Sequence, residues 1–162
     1  ERDGKKVVNF YNSLHKKTRL YPGCKNALLR LRKKNILVGI VSNSQFYTEP
    51  MLERLFGKKD FEKVFTGPKA LSFKAGFSKP NPKLFEKALK KLKAQKIKPN
   101  ETIYIGNDLL KDIWGSKNAS PTIKAVLFAS DCVKWNKNNP KVNKTKADAV
   151  IWSWAELKEV VE

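Results

Sequence analysis

Thr102-Ile-Tyr-Ile-Gly-Asn-Asp-Leu-Leu-Lys-Asp-Ile-Trp-Gly-Ser-Lys-Asn-Ala119 is the stretch that decides the fold. Its apolar opening, Ile103 to Ile105, has the length of a buried strand. Gly106 then lets the backbone turn tightly, and a helical pattern follows. If the helix starts at that turn, Asp108 and Asp112 are four apart and share one side of its first turn. Two readings stand side by side. In one, Asp108 is an N-cap and Asp112 a solvated helix acid. In the other, two carboxylates at the carboxyl end of a parallel strand occupy the crevice where open α/β sheets bind ligands. Like charges held so close call for a cation, and oxygen-only ligands suit Mg²⁺.

Upstream, Tyr21-Pro22-Gly23 is a turn, and a helix over about Lys25 to Lys34 puts Ala27, Leu28 and Leu31 on one face. Ile36 to Val41 reads as a strand buried on both faces, as expected after a helix in a parallel sheet. It ends in Ser42-Asn43-Ser44, where a hydroxyl and an amide could hold a phosphate oxygen or cap the helix from about Thr48 to Phe56. A short strand is expected near Val64-Phe65-Thr66, while Lys69 to Phe77 reads equally as hairpin or irregular loop. Ser78-Lys79-Pro80-Asn81-Pro82 leads into a helix whose core face is Leu84, Phe85, Ala88, Leu89 and Leu92. The prolines fix the backbone around Lys79, and a lysine held at a helix entrance can reach a phosphate as a point charge. Most lysines do nothing of the kind.

Downstream, Ile123 to Phe128 is a buried strand and Lys134 to Thr145 a long exposed loop. Asp148 to Trp152 is a last strand, and Ala155 to Val161 a closing helix packed through Leu157 and Val160 or Val161. Val7 to Leu14 has the spacing of a helix end. Tyr104, Trp114, Trp152 and Trp154 read as core and rim packing rather than a base-stacking platform.

Composition narrows the classes. A chain of 162 residues, 41% hydrophobic with nine Phe and four Trp, has room for one domain with a real core. No apolar run is long enough to span a membrane, and Cys24, Cys132 and the single His15 have no metal-ligand spacing. A reduced, cytoplasmic protein is the simplest expectation. A first residue of Glu1 points to a processed or partial chain. The net charge of +19 invites a nucleic-acid partner, but only five of 34 basic residues are Arg, the residue that makes bidentate contacts to phosphates and bases. Nucleic acid is therefore the less favoured partner.

The ordered set of Ser42-Asn43 after a strand, then Lys79-Pro80-Asn81-Pro82-Lys83-Leu84-Phe85, then Gly106-Asn107-Asp108 with Asp112 and Gly115-Ser116-Lys117-Asn118-Ala119 resembles the haloacid dehalogenase-like (HAD) hydrolase superfamily. The resemblance runs from about Leu20 to the end. It implies an α/β fold, a Rossmann-like three-layer sandwich with a parallel sheet, with residues 1–20 as the end of a helical cap and 21–162 as an incomplete core. It further implies an Mg²⁺-dependent phosphohydrolase acting on a small phosphorylated metabolite. Ser42 would hydrogen-bond the transferring phosphoryl group with Asn43 beside it. Lys79 would steady the charge of nucleophile and phosphate, while Asp108, Asp112 and Asn107 fall in the acidic motif that holds Mg²⁺. The usual Gly-Asp order is altered, which leaves Asn107 and Asp108 as rivals for the metal-facing place.

The family's nucleophile lies in an Asp-x-Asp at the end of the first strand, and no such motif follows an apolar run here. Without it, losses of about 10⁴-fold in turnover are expected, so this polypeptide alone should be almost inactive. By the family order that strand sits between Ile36–Val41 and Thr102–Ile105. Each buried bond left unmade there costs about 1–3 kcal/mol, against a total stability of about 5–15 kcal/mol. A separate N-terminal peptide carrying the strand is the expected partner. The alternatives are a catalytically dead HAD-fold binding module and a basic nucleic-acid-associated phosphatase.

Overall fold

The computed structural model describes residues 18–161, together with Phe10 and Ser13; the expected helix end at Val7–Leu14 lies otherwise outside the described residues. Among the described residues five strands, all parallel, form two sheets rather than one. In the first, β1 (Ile40–Ser42) pairs with β2 (Lys69–Leu71), Ile40 opposite Lys69. The second has the order β3 (Ile103–Gly106), β4 (Lys124–Phe128), β5 (Ala149–Ile151), with Ile103 opposite Lys124 and Val126 opposite Ala149.

Alternation along the strands sorts the helices onto two faces. On one face Ile40 packs with α1 (Cys24–Lys33), α2 (Thr48–Phe56) and α3 (Lys58–Val64) through Cys24, Leu28, Phe56 and Val64. Ile103, Ile105, Val126 and Ile151 meet Val160 of α8 (Leu157–Val161), and Trp154 touches both groups. The other face carries Val41 and Ala70 against Leu84 and Ala88 of α5 (Pro82–Ala94). There Ala125 and Leu127 pack on Ile113 of a π-helix spanning Leu109–Trp114, which runs on into α6 (Gly115–Ala119). Side chains one residue apart thus serve opposite layers, as a sheet with helices on both faces requires.

Several expectations are corrected. The ladder of the first strand is only Ile40–Ser42, and none of its three residues is fully buried. All four residues of β3 are likewise half-buried, whereas four of the five in β4, paired on both sides, are buried. A strand paired on one edge only is less well covered, which is why a wholly apolar run such as Ile36–Val41 overstates its burial. Val64 closes α3 rather than opening a strand, and β2 lies at Lys69–Leu71, followed by the short helix α4 (Ser72–Ala75). The polar stretch from Lys134 to Thr145 is not all exposed loop: α7 (Pro140–Asn143), capped by the Asn139 side chain, buries Val142. Helix α5 is as expected, Asn81 accepting from the Lys83 amide at its start, with Leu89 and Leu92 half-buried rather than buried.

Candidate active site

Three loops meet at the carboxyl ends of β1 and β3. The first follows β1. Asn43 turns its side chain onto the loop before α5, where its Oδ1 accepts from the Lys79 amide at 2.6 Å and its Nδ2 donates to the Lys79 carbonyl at 3.0 Å. Asn43 therefore holds Lys79 in place, and its side-chain amide is already engaged. The Ser42 hydroxyl, in contrast, has no hydrogen-bond partner among the described residues; the Ser44 hydroxyl bonds only its carbonyl. Ser44 is fixed in turn by Ser72, whose hydroxyl accepts from the Ser44 amide and donates to the Ser44 carbonyl.

From the second loop Lys79 reaches inward. Its ammonium lies 2.6 Å from Asp112 Oδ1 and 2.9 Å from the Tyr104 hydroxyl, with its side chain 13% exposed and that of Asp112 5%. The π-helix turn supplies Asp112 from the third loop. Asp112 Oδ2 accepts from the amides of Asn107 and Asp108, both at 3.0 Å. This is possible because residue 106 is glycine: a Cβ there would collide with the Asp112 carboxylate. Asp112 thus closes the turn after β3 and binds Lys79 with its other oxygen.

Asp108 does something else. It is 5% exposed, and its Oδ1 accepts from the amides of Leu110 and Lys111 at 3.0 and 2.8 Å and from Asn136 Nδ2 at 2.7 Å. It is the N-cap of the π-helix, satisfying donors that the first turn leaves open. Asn107 is half-buried and donates its side-chain amide to the Cys132 carbonyl at 2.8 Å. So the two carboxylates engage different partners, Asp112 the turn and Lys79, Asp108 the π-helix start and Asn136. Among the described residues no group of three acidic, His or Cys side chains could hold a metal. Mg²⁺ keeps near-octahedral oxygen coordination, yet both oxygens of Asp112 and one of Asp108 already have protein donors. The described residues by themselves do not fit that ion.

Two residues at the site escaped the sequence reading. Tyr104, read as packing, accepts from Lys79 and is 3.0 Å from Asp112 Oδ1 and 3.3 Å from the Val41 carbonyl, having one proton to give to either. Its ring stands edge-on to Phe85 of α5 at 5.0 Å. Burial, reinforced by the Asp112 charge, holds its phenol well above the usual range, so the hydroxyl keeps its proton. The period of two along β3, which puts Tyr104 on the same face as Gly106, was the available signal. Asn136 lay hidden in the polar stretch. Its loop is clipped to the site by the Lys134 amide on the Asn107 carbonyl at 2.7 Å and the Leu109 amide on the Lys134 carbonyl at 2.9 Å.

The chain can be set beside known proteins on this geometry. Residues 2–126 match the profile of the haloacid dehalogenase-like hydrolases. A glyceraldehyde 3-phosphate phosphatase of Pyrococcus furiosus is 34% identical over 96% of this chain and 60% of its own length. The enzyme of the same name from Methanothermobacter thermautotrophicus is 29% identical over 96% of this chain and 64% of its own. The chain therefore spans about three-fifths of the length of these relatives. A HAD phosphatase from Thermococcus onnurineus superposes with a TM-score of 0.71 at 23% identity, covering 93% of this chain and 61% of that one. The magnesium-bound HAD-hydrolase YfnB of Bacillus subtilis gives 0.74 at 21%, covering 94% and 60%. The α/β Rossmann-like fold expected from the sequence is the fold of these neighbours. With a profile match over most of its length and three motif loops joined through Lys79 and Asp112, this chain belongs to the haloacid dehalogenase-like hydrolase family.

Proposed function

We propose that this chain is the larger part of a HAD-type phosphohydrolase acting on a small phosphorylated metabolite. The observation that carries the reading is the convergence of Lys79 on Asp112 while Asn43 grips its main chain, which gathers three loops at one crevice. The names of the relatives, glyceraldehyde 3-phosphate phosphatases, support a substrate of that size and charge. In this reading the free hydroxyl of Ser42 donates to a phosphoryl oxygen, and the Lys79 ammonium offsets the charge on the transferring group. Asn43 serves by placing Lys79, and Asp112 by closing the turn that presents the amides of Asn107 and Asp108.

The attacking carboxylate is supplied by a strand entering between β1 and β3, carried by a longer form of the chain or by a separate peptide. Both flanking strands are half-buried there, and the sheet is in two parts. That carboxylate attacks phosphorus in line as the bond to the substrate's ester oxygen breaks, releasing the alcohol and leaving an acyl phosphate, which water then hydrolyses to phosphate and the free carboxylate. Dependence on Mg²⁺ is proposed only for the assembled protein, since further oxygen ligands must come with the strand. The segment before Leu20 is proposed as the end of a cap, and a cytoplasmic setting rests on the two unpaired cysteines, Cys24 and Cys132. Among the described residues no helix is long and apolar enough to cross a membrane.

The test is phosphate release from glyceraldehyde 3-phosphate by the protein with the strand present. Lys79→Ala should lower turnover by about 10²-fold or more, the scale on which a group stabilising transition-state charge acts. Turnover unaffected by Lys79→Ala would overturn a part for its ammonium in the reaction. Phosphate binding without release would instead leave a binding module.

A further inference from the structure

A concave site lies toward the opposite end of the sheet, where Asp148 precedes β5 and Lys124 and Ala125 open β4. Its cavity, about 480 Å³, is lined in part by Trp114, Lys117, Lys144, Lys146 and Asp148. It is a shallow depression open to solvent, with Lys144, Lys146 and Asp148 all exposed. The charge within it is unbalanced. Asp148, the one carboxylate in the lining, is held by the Lys117 ammonium at 2.8 Å and by the Ala125 amide at 2.7 Å. Lys144 and Lys146 have no carboxylate partner among the described residues.

A third cation is held at the edge. Lys141 is exposed, and its Nζ lies 4.8 Å from the centroid of the Trp114 ring, a cation–π contact at the rim of the depression. The turn that carries these lysines is fixed as well: the Thr145 hydroxyl donates to the Lys141 carbonyl at 2.8 Å, and the Thr145 amide to the Val142 carbonyl at 2.9 Å. Three lysines carried by one short stretch, Lys141 to Lys146, give this face an excess of positive charge that an occupant with two or more negative charges would offset. Lysines bind phosphate as compact point charges, without the planar fork by which an arginine grips a carboxylate or phosphate in a bidentate way.

We propose that this cavity binds a small polyanion of the pyrophosphate class, free or as the phosphate tail of a nucleotide. The site is separate from the Lys79 crevice and does not depend on the function assigned to it.

The experiment is a titration of the protein, with the strand that completes its sheet present, with inorganic pyrophosphate and, in a second arm, with ADP, at about 150 mM salt so that diffuse surface attraction is screened. Binding is read by calorimetry and by the backbone amide resonances of Lys144, Thr145 and Lys146. Those resonances should shift saturably, and K144Q/K146Q should weaken binding by about tenfold or more, equivalent to about 1.4 kcal/mol. The control K90Q/K91Q, on the exposed face of α5, should change it less than about twofold if the cavity and not net charge is responsible. Tighter binding of ADP than of pyrophosphate identifies a nucleotide as the ligand, and equal binding identifies the polyphosphate alone. Affinity unchanged in K144Q/K146Q, an equal loss in K90Q/K91Q, or shifts confined to Ser42–Ser44 and Asn107 would each overturn the proposal. So would shifts at Lys144–Lys146 on adding single-stranded oligonucleotide but not pyrophosphate, which would assign the surface to nucleic acid.

Discussion

Asn43 holds Lys79 by both of its main-chain polar groups, 2.6 Å to the amide and 3.0 Å to the carbonyl. A single primary amide thereby does for one residue what a neighbouring strand does for a ladder position, and it joins the loop after β1 to the loop before α5. Asn43→Ala removes both bonds. Because the pair is exposed, the expected loss is about 1–2 kcal/mol in urea unfolding. Asn43→Asp keeps the acceptor and should fall between the two. If Asn43→Ala unfolds at the wild-type urea midpoint, the clasp carries no stability.

Asp112 and Asp108 differ in what their loss should cost. Removing Asp112 leaves the Lys79 ammonium without its partner and two amides without an acceptor, so Asp112→Ala should destabilise by about 3–5 kcal/mol. Asp108→Ala deletes a helix cap, for which about 1–2 kcal/mol is expected. Denaturant titrations of the two variants decide the order, and equal losses would contradict the division of labour between the two carboxylates.

The two cysteines should react at very different rates. Cys24 is buried in the layer under β1, and that burial pushes its thiol up to about 11, whereas Cys132 is exposed. Near pH 8 only about one Cys24 in a thousand is a thiolate, by the tenfold-per-unit relation between pH and ionised fraction. A thiol reagent added to folded protein should give one fast equivalent, abolished by Cys132→Ser. The second equivalent should then quicken with rising pH toward the thiol's own value. Two fast equivalents would show that α1 opens readily.

Asp148 makes stability fall in acid. Burial acts to raise its pKa, but the Lys117 hydrogen bond, the Ala125 amide and the charges of Lys117 and Lys124 outweigh it, and the carboxyl ends below its ordinary value. A lowered folded-state value contributes stability above the unfolded value, about pH 3.9, and loses it as pH drops through the folded one. Urea midpoints should therefore decline below about pH 4, and Asp148→Asn should flatten that part of the profile while lowering stability at neutral pH. A variant with the wild-type acid limb would rule Asp148 out as its source.

Much of the molecule could be read from its residues, and the failures have physical causes. Helix α2 falls at Thr48–Phe56 as expected, because its boundaries are set locally by a turn residue before and a glycine after. The apolar alternation of α5 is equally local. Local pattern could not say that Val64 ends a helix, since a short run of Val and Phe suits either state. Nor could it give Asp112 its second role. That role depends on Gly106 lying beneath it and on Lys79, 33 residues away, arriving from the loop before α5. Tyr104 was legible only as an aromatic on a strand. Its hydroxyl gains meaning from three partners, two of them far from it in sequence.

The reach of that hydroxyl to the Val41 carbonyl sets a condition on anything that pairs with β1 along its inner side. The carbonyl is an acceptor such a newcomer needs, and Tyr104 is already leaning on it. A carbonyl oxygen has two lone pairs, so a strand amide arriving there either shares Val41 with the phenol or leaves the phenol's proton to Asp112, and the tyrosine becomes a sensor of whether that edge is occupied.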